Sequence, residues 1–141
     1  MPFRKKMADG GSRLKGIELF EGLSDAELNR VAELVEEVDA EAGAVLMEQG
    51  KPGDECFIIV SGEAAVEVGG ERVATSGPGG ILGEMALLDD RPRSATVRVI
   101  QPMKLLALDT KRFRTLLDEI PNASRAVMAK LSSRVRDGNI S

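Results

Sequence analysis

The 141-residue chain is predicted to be a mainly β protein with flanking helices, its strands closing into a small barrel. Three observations predict this. Between Glu36 and Leu108, short apolar runs are broken by glycine-bearing turns at intervals of about 8–12 residues. Ahead of that stretch, a capping box opens a run of apolar residues at helical spacing. Behind it, two more helical patterns stand on either side of Pro121.

In chain order, residues 1–11 read as a flexible tail, with Arg4, Lys5 and Lys6 as a solvated basic end. Residues 12–141 read as a single domain. Its helical entry covers 12–35. Leu14, Ile17, Leu19, Phe20 and Leu23 lead to Ser24-Asp25-Ala26-Glu27, where Ser24 is the N-cap and Glu27 the third helical residue. Leu28, Val31, Ala32, Leu34 and Val35 then predict a helix over roughly 24–35.

The barrel is expected over 36–109. Its runs are Ala44–Met47, Cys56–Val60, Ala64–Val68, Glu71–Ala74, Ala95–Ile100 and Lys104–Leu108. Lys51-Pro52-Gly53-Asp54, Ser61-Gly62, Gly69-Gly70 and Gly77-Pro78-Gly79-Gly80 separate them. Gly69-Gly70 is a two-residue hairpin signal. Helices follow over 110–138. Asp109 or Thr110 caps one bearing Phe113, Leu116 and Leu117, and Asn122 caps another bearing Ala126, Val127, Leu131 and Val135. Gly138 ends it.

Composition narrows the function. Apolar residues make up 43%, enough for a packed core, but aromatics are 3%, with no Trp or Tyr. Base stacking on aromatic platforms is thus nearly unavailable, and a net charge of −4 disfavours nucleic-acid backbones. There is no histidine, which removes imidazole catalysis and His-rich metal sites. Cys56, among apolar neighbours, reads as a buried inert thiol, and a lone cysteine permits no intrachain disulfide. No apolar run approaches the roughly 20 residues that span a bilayer, and no h-region follows the basic start. A cytoplasmic location, no membrane and no metal are the expectations.

One segment interrupts the barrel. Glu84-Met85-Ala86-Leu87-Leu88, preceded by Gly83, has helix-forming composition but only one turn of length, marginal alone. The N–H groups at such a start lack internal partners and attract anions. Gly83 and Ala86 let a ligand approach the main chain. Arg93, after the Pro92 turn, can aim a guanidinium fork at the same place. Glu84 would repel a phosphate directly and is better placed to accept from hydroxyls. Phosphate and hydroxyl on one small molecule indicate a sugar phosphate or nucleotide.

Leu82-Gly83-Glu84-Met85-Ala86-Leu87 and Pro92-Arg93-Ser94-Ala95-Thr96-Val97 together resemble the phosphate-binding cassette of the cyclic nucleotide-binding domain family. That family includes catabolite-activator-type regulators, protein kinase A regulatory subunits and cyclic-nucleotide-gated channels. The resemblance extends to Leu19-Phe20-Glu21-Gly22-Leu23-Ser24, Gly50-Lys51-Pro52-Gly53-Asp54 and Val60-Ser61-Gly62, and so over most of the chain. It implies a double-stranded β-helix, or jelly-roll, barrel with the cassette at 82–96.

The resemblance also implies roles. Gly83 and Glu84 meet the ribose 2′-hydroxyl. The N–H groups of Ala86 and Ser94 meet the cyclic phosphate, Arg93 neutralises it, and Ala95 lets β-structure resume close to the ligand. Leu82 and Met85 complete the lining. Leu82 stands where an aromatic is frequent and Gly80 where Asp is frequent, and neither is a polar ligand contact in the family. Threonine at position 94 would imply cGMP and alanine cAMP. Serine leaves cGMP possible, with cAMP the expected ligand. Without an aromatic in the last helix, Val127 or Leu131 is the expected lid over the base.

Taken singly, Gly83 is a turn glycine, Glu84 a helix-start carboxylate and Arg93 a surface charge; their combination points to a ligand. Glycine-rich Gly77–Gly83 lacks the third glycine of GxGxxG, and GxxxxGK[ST] is absent. The expected function is a stand-alone, non-enzymatic sensor or regulatory module that signals through its C-terminal helices to a protein partner or an output domain on another chain. The alternative is a member of the fold that has lost its ligand and serves protein interaction. A cupin-like barrel enzyme is disfavoured by the missing histidines.

Overall fold

The computed structural model describes residues 3–7, 11, 14–83 and 92–136, with side chains described as far as Lys130. Strands β1 (Phe3–Lys6), β2 (Glu36–Ala40), β3 (Val45–Met47), β4 (Glu55–Val68), β5 (Glu71–Ser76), β6 (Ile81–Leu82) and β7 (Thr96–Asp109) form one antiparallel sheet. Its path runs β1-β2-β7-β4-β5, with β3 also on β7 and β6 also on β4. Helix α1 (Asp25–Leu34) precedes the main strands, and α2 (Thr110–Glu119) and α3 (Pro121–Arg136) follow them.

Strand periodicity explains the two cores. Successive side chains of a strand face opposite ways. Along β4, Cys56 and Ile58 join a cluster that includes Leu28, Val31, Phe113, Leu116 and Val127 of the helices. Their neighbours Phe57 and Ile59 join a second cluster with Val38, Leu82, Val97 and Leu105 inside the curled sheet. Both faces are dry here, which is why Cys56–Ile59 and Leu105–Leu108 read as unbroken apolar runs. Each fully buried Leu or Ile contributes roughly 1.5–3 kcal/mol.

The sheet curls at its bulges. The pairing of β4 with β7 slips between Ile59 and Ser61, Ser61 and Glu63, and Glu63 and Ala64. Gly62 has φ +91 there, and a β-carbon on it would stand 2.7 Å from Met103 Cα. Such bulges bend and twist a strand. Pro102, with no N–H to donate, lies in the slipped region. The breaks expected at Ser61-Gly62 and between Ile100 and Lys104 are thus bends inside two long strands.

Local signals hold at several places. The Ser24 hydroxyl accepts from the Glu27 N–H at 3.1 Å, and the Glu27 carboxylate accepts from the Ser24 N–H at 2.8 Å. Gly69 and Gly70, with φ 61 and 86, turn β4 into β5, as a two-residue hairpin requires. Asp109 caps α2 by accepting from the Arg112 N–H at 2.8 Å. Arg30 on α1 holds Glu119 on α2 through bonds of 2.9 and 3.1 Å.

Three local expectations change. Pro121 is the first residue of α3 rather than a stop before it, with Asn122 inside the helix; proline suits a first turn because its missing N–H has no helical partner anyway. Glu36–Ala40 is a strand that the expected runs omit, its only apolar residues being the buried Val38 and Ala40 on either side of Asp39. Within the expected tail, Phe3–Lys6 forms β1. The charges explain that pairing. Lys5 lies opposite Glu37 and Lys6 opposite Glu36, and Lys5 Nζ stands 3.8 Å from a Glu37 carboxylate oxygen. Basic β1 needs acidic β2 to become ordered, and its charges blunt an otherwise open sheet edge.

Candidate functional site

Arg93 is the one buried polar or charged residue among the described residues, with 7% exposure. It sits on the short approach to β7, in the segment Pro92–Ala95. Its main chain is pinned to the loop between β3 and β4. The Arg93 N–H donates to the Lys51 carbonyl at 2.9 Å, and the Gly50 N–H donates to the Arg93 carbonyl at 2.9 Å. One residue thus makes a small two-way ladder with that loop.

Its guanidinium reaches inward. Nη1 donates to the Gly83 carbonyl at 2.9 Å and Nη2 to the Glu55 carbonyl at 2.5 Å. Gly83 follows β6 with φ +84, and a β-carbon there would meet Arg93 Nη1 at 2.5 Å and the Glu55 carbonyl oxygen at 3.0 Å. Gly53 presses on the guanidinium from the other loop: a β-carbon on it would overlap Nε, Cζ and Nη2 of Arg93. Two glycines therefore make the niche.

Burial works against the charged guanidinium, with Cys56, Asp54 and Glu55 acting in the opposite sense. The guanidinium nonetheless stays protonated in proteins. Among the described residues its hydrogen-bond acceptors are two neutral carbonyls. These orient the cation without cancelling its charge. The guanidinium is thus buried and oriented, with the Asp54 and Glu55 charges nearby, and its planar fork has the geometry that suits phosphate oxygens. The adjacent Cys56 thiol is pushed up to about 12, chiefly by burial, so it supplies no thiolate near neutral pH.

The other expected site residues fall as follows. Leu82 is fully buried in the inner cluster beside Phe57. Gly83 is buried against Arg93. Ser94 is exposed and Ala95 is buried, with β7 starting immediately after. Glu84, Met85 and Ala86 lie outside the described residues, as does the side chain of Leu131. Val127 has 0% exposure within the helical cluster; in this conformation it is core. Among the described residues, no group of His, Cys, Asp or Glu side chains could hold a metal ion. No helix among them is long and apolar enough to cross a membrane.

Comparison with known proteins bears on this buried arginine. The family model described as the cyclic nucleotide-binding domain matches residues 37–120. The cAMP-dependent protein kinase regulatory subunit of Emericella nidulans is 33% identical over 79% of this chain and 28% of its own length. This chain belongs to the cyclic nucleotide-binding domain family.

Solved structures agree on the fold. A cAMP-binding acyltransferase from Mycobacterium smegmatis superposes with a TM-score of 0.80 at 30% identity, over 90% of this chain and 41% of that one. The regulatory domain of Toxoplasma gondii protein kinase A, co-crystallised with cAMP, superposes with a TM-score of 0.69 at 27% identity, over 88% and 48%. The flanking helices and antiparallel sheet are the jelly-roll arrangement of these neighbours. The domain spans less than a third of the length of the curated relatives it matches.

Within this cyclic nucleotide-binding domain, Gly50, Lys51, Gly53 and Glu55 surround Arg93, and the cassette motif does not point to them. A turn-like Lys-Pro-Gly-Asp stretch signals a loop but not what the loop touches. Gly53 has a φ outside the left-handed region, so glycine there answers to space rather than to backbone conformation, and no local sequence signal reveals that.

Proposed function

We propose that this domain binds cAMP as a regulatory, non-catalytic module, with Arg93 holding the cyclic phosphate. The observation that carries the proposal is the buried Arg93 guanidinium, held by the Gly83 and Glu55 carbonyls. Carbonyls take some of its N–H groups and leave others for a ligand oxygen. Family resemblance adds the remaining roles. Glu84 and Gly83 receive the ribose hydroxyl, the N–H groups of Ala86 and Ser94 receive phosphate oxygens, and Leu82, Met85 and Ala95 shape the wall.

Ser94 is exposed at the site and its hydroxyl leaves cGMP as a weaker second ligand. A base lid from Val127 or Leu131 requires α3 to shift, because Val127 is now enclosed among the helices. That requirement gives a signalling route. Ligand binding would shift the population toward a rearranged α3, breaking the 3.9 Å ion pair between Lys130 and Glu18, and a partner or attached output domain would read the new surface. The location proposed is cytoplasmic.

Calorimetric titration with cAMP and then cGMP tests the reading. Saturable binding of cAMP, tighter than that of cGMP, is expected. Absence of heat and of any thermal shift with either nucleotide would instead favour an interaction domain that has lost its ligand.

A further inference from the structure

A second arginine stands beside the proposed phosphate site. Arg4 lies opposite Val38 in the β1–β2 register, so its side chain shares the face on which Val38 packs inside the sheet. Its guanidinium grips Glu55 with both forks: Nη1 donates to Oε2 at 2.5 Å and Nη2 to Oε1 at 2.7 Å. Arg4 Cζ stands 6.0 Å from the centroid of the Phe57 ring. Glu36 lies 3.7 Å from Arg4 Nη1.

Glu55 is therefore held by two arginines at once, by Arg4 through its carboxylate and by Arg93 through its carbonyl. Its negative charge is felt at both guanidinium groups. A carboxylate is a much stronger acceptor for a guanidinium than a carbonyl is. Left unclaimed, the Glu55 carboxylate would turn toward Arg93 and compete there with an incoming phosphate. Asp54 also acts on both arginines, but it makes no hydrogen bond to either among the described residues.

We propose that Arg4 is a positioning residue for the nucleotide site, one that keeps the Glu55 carboxylate away from Arg93 and so preserves the anion-binding capacity of the buried guanidinium. The inference rests on the reading of Arg93 as the phosphate ligand. It gives the N-terminal strand a role in affinity without any contact to the ligand. It also makes docking of β1 and nucleotide binding mutually reinforcing, since coupling between two equilibria is reciprocal.

The test is calorimetric titration of cAMP into the whole chain, its Arg4→Ala, Arg93→Ala and Arg4→Ala/Glu55→Gln variants, with melting curves to verify that each is folded. Arg4→Ala is expected to weaken binding on the order of tenfold. Adding Glu55→Gln, which removes the competing charge, is expected to recover most of that loss. A purely structural role for Arg4 would not be rescued in this way. Unchanged affinity in Arg4→Ala, or a loss that persists in the double variant, overturns the inference while binding by the parent chain and its loss in Arg93→Ala leave the nucleotide reading standing. No binding by the parent chain overturns both.

Discussion

Gly53 and Arg93 fit together so closely that a single methyl group on Gly53 would occupy the space of the Arg93 guanidinium. The contact joins the loop after β3 to the approach to β7, two segments far apart in sequence. Gly53→Ala is therefore expected to displace the guanidinium from the Gly83 and Glu55 carbonyls while leaving the sheet intact. We expect cAMP affinity to drop by at least about tenfold, roughly 1.4 kcal/mol, with little change in melting temperature. Equal affinity in calorimetry would mean that the niche tolerates the methyl group.

Removing the guanidinium itself is more severe. Arg93→Ala is expected to weaken cAMP binding by roughly 2–5 kcal/mol, the usual cost of leaving a desolvated charge without its partner. The parent chain should gain about 2.7 kcal/mol of stability at a ligand concentration of ~100 times Kd. The variant should keep no more than about a third of that stabilisation at the same concentration. A full shift in the variant would remove Arg93 from the site.

Base choice turns on position 94. Ser94→Thr is expected to raise cGMP affinity relative to cAMP, and Ser94→Ala to lower it. Competition titrations give the ratio directly. An identical ratio in all three proteins would show that the hydroxyl plays no part in selection.

The Cys56 thiol, raised from 9.0 to about 12 chiefly by burial, should resist alkylation in the native protein near pH 8 and react fully in denaturant. Folding raises its proton affinity, so its contribution to stability is intact below about 9 and declines as pH rises toward about 12. Rapid native labelling would contradict the burial.

Capping offers a test of local structure away from the site. Ser24→Ala removes the hydroxyl that accepts from Glu27 and leaves that exposed N–H to water. A loss of about 1 kcal/mol is expected, with nucleotide affinity unaltered. Denaturant unfolding measures the first and calorimetry the second.

Much of this architecture was legible residue by residue. Ser24 and Glu27 announced α1, Gly69-Gly70 announced the β4–β5 hairpin, and Asp109 announced the start of α2, because each acts on atoms within a few positions of itself. Gly83 and Arg93 could be singled out for the same reason: they belong to two short pieces close together in the chain, with distinctive residue types. Phe3–Lys6 was not, because a basic run becomes a strand only when acidic β2 lies alongside. Nor were the bends in β4 and β7, where the slip depends on how two distant strands pair.

The order of residues alone fixed the alternation of buried faces, the caps and turns, and the presence of an arginine close to a glycine-bearing turn. These follow from short-range sterics, hydrogen bonding and the period of each element. Folding in three dimensions added the surroundings of that arginine: Gly53 against its plane, the carbonyls of Gly83 and Glu55 at its tips, and Arg4 on the far side of Glu55. Those contacts join residues up to 51 positions apart, and burial and charge balance act between neighbours in space whatever their separation along the chain.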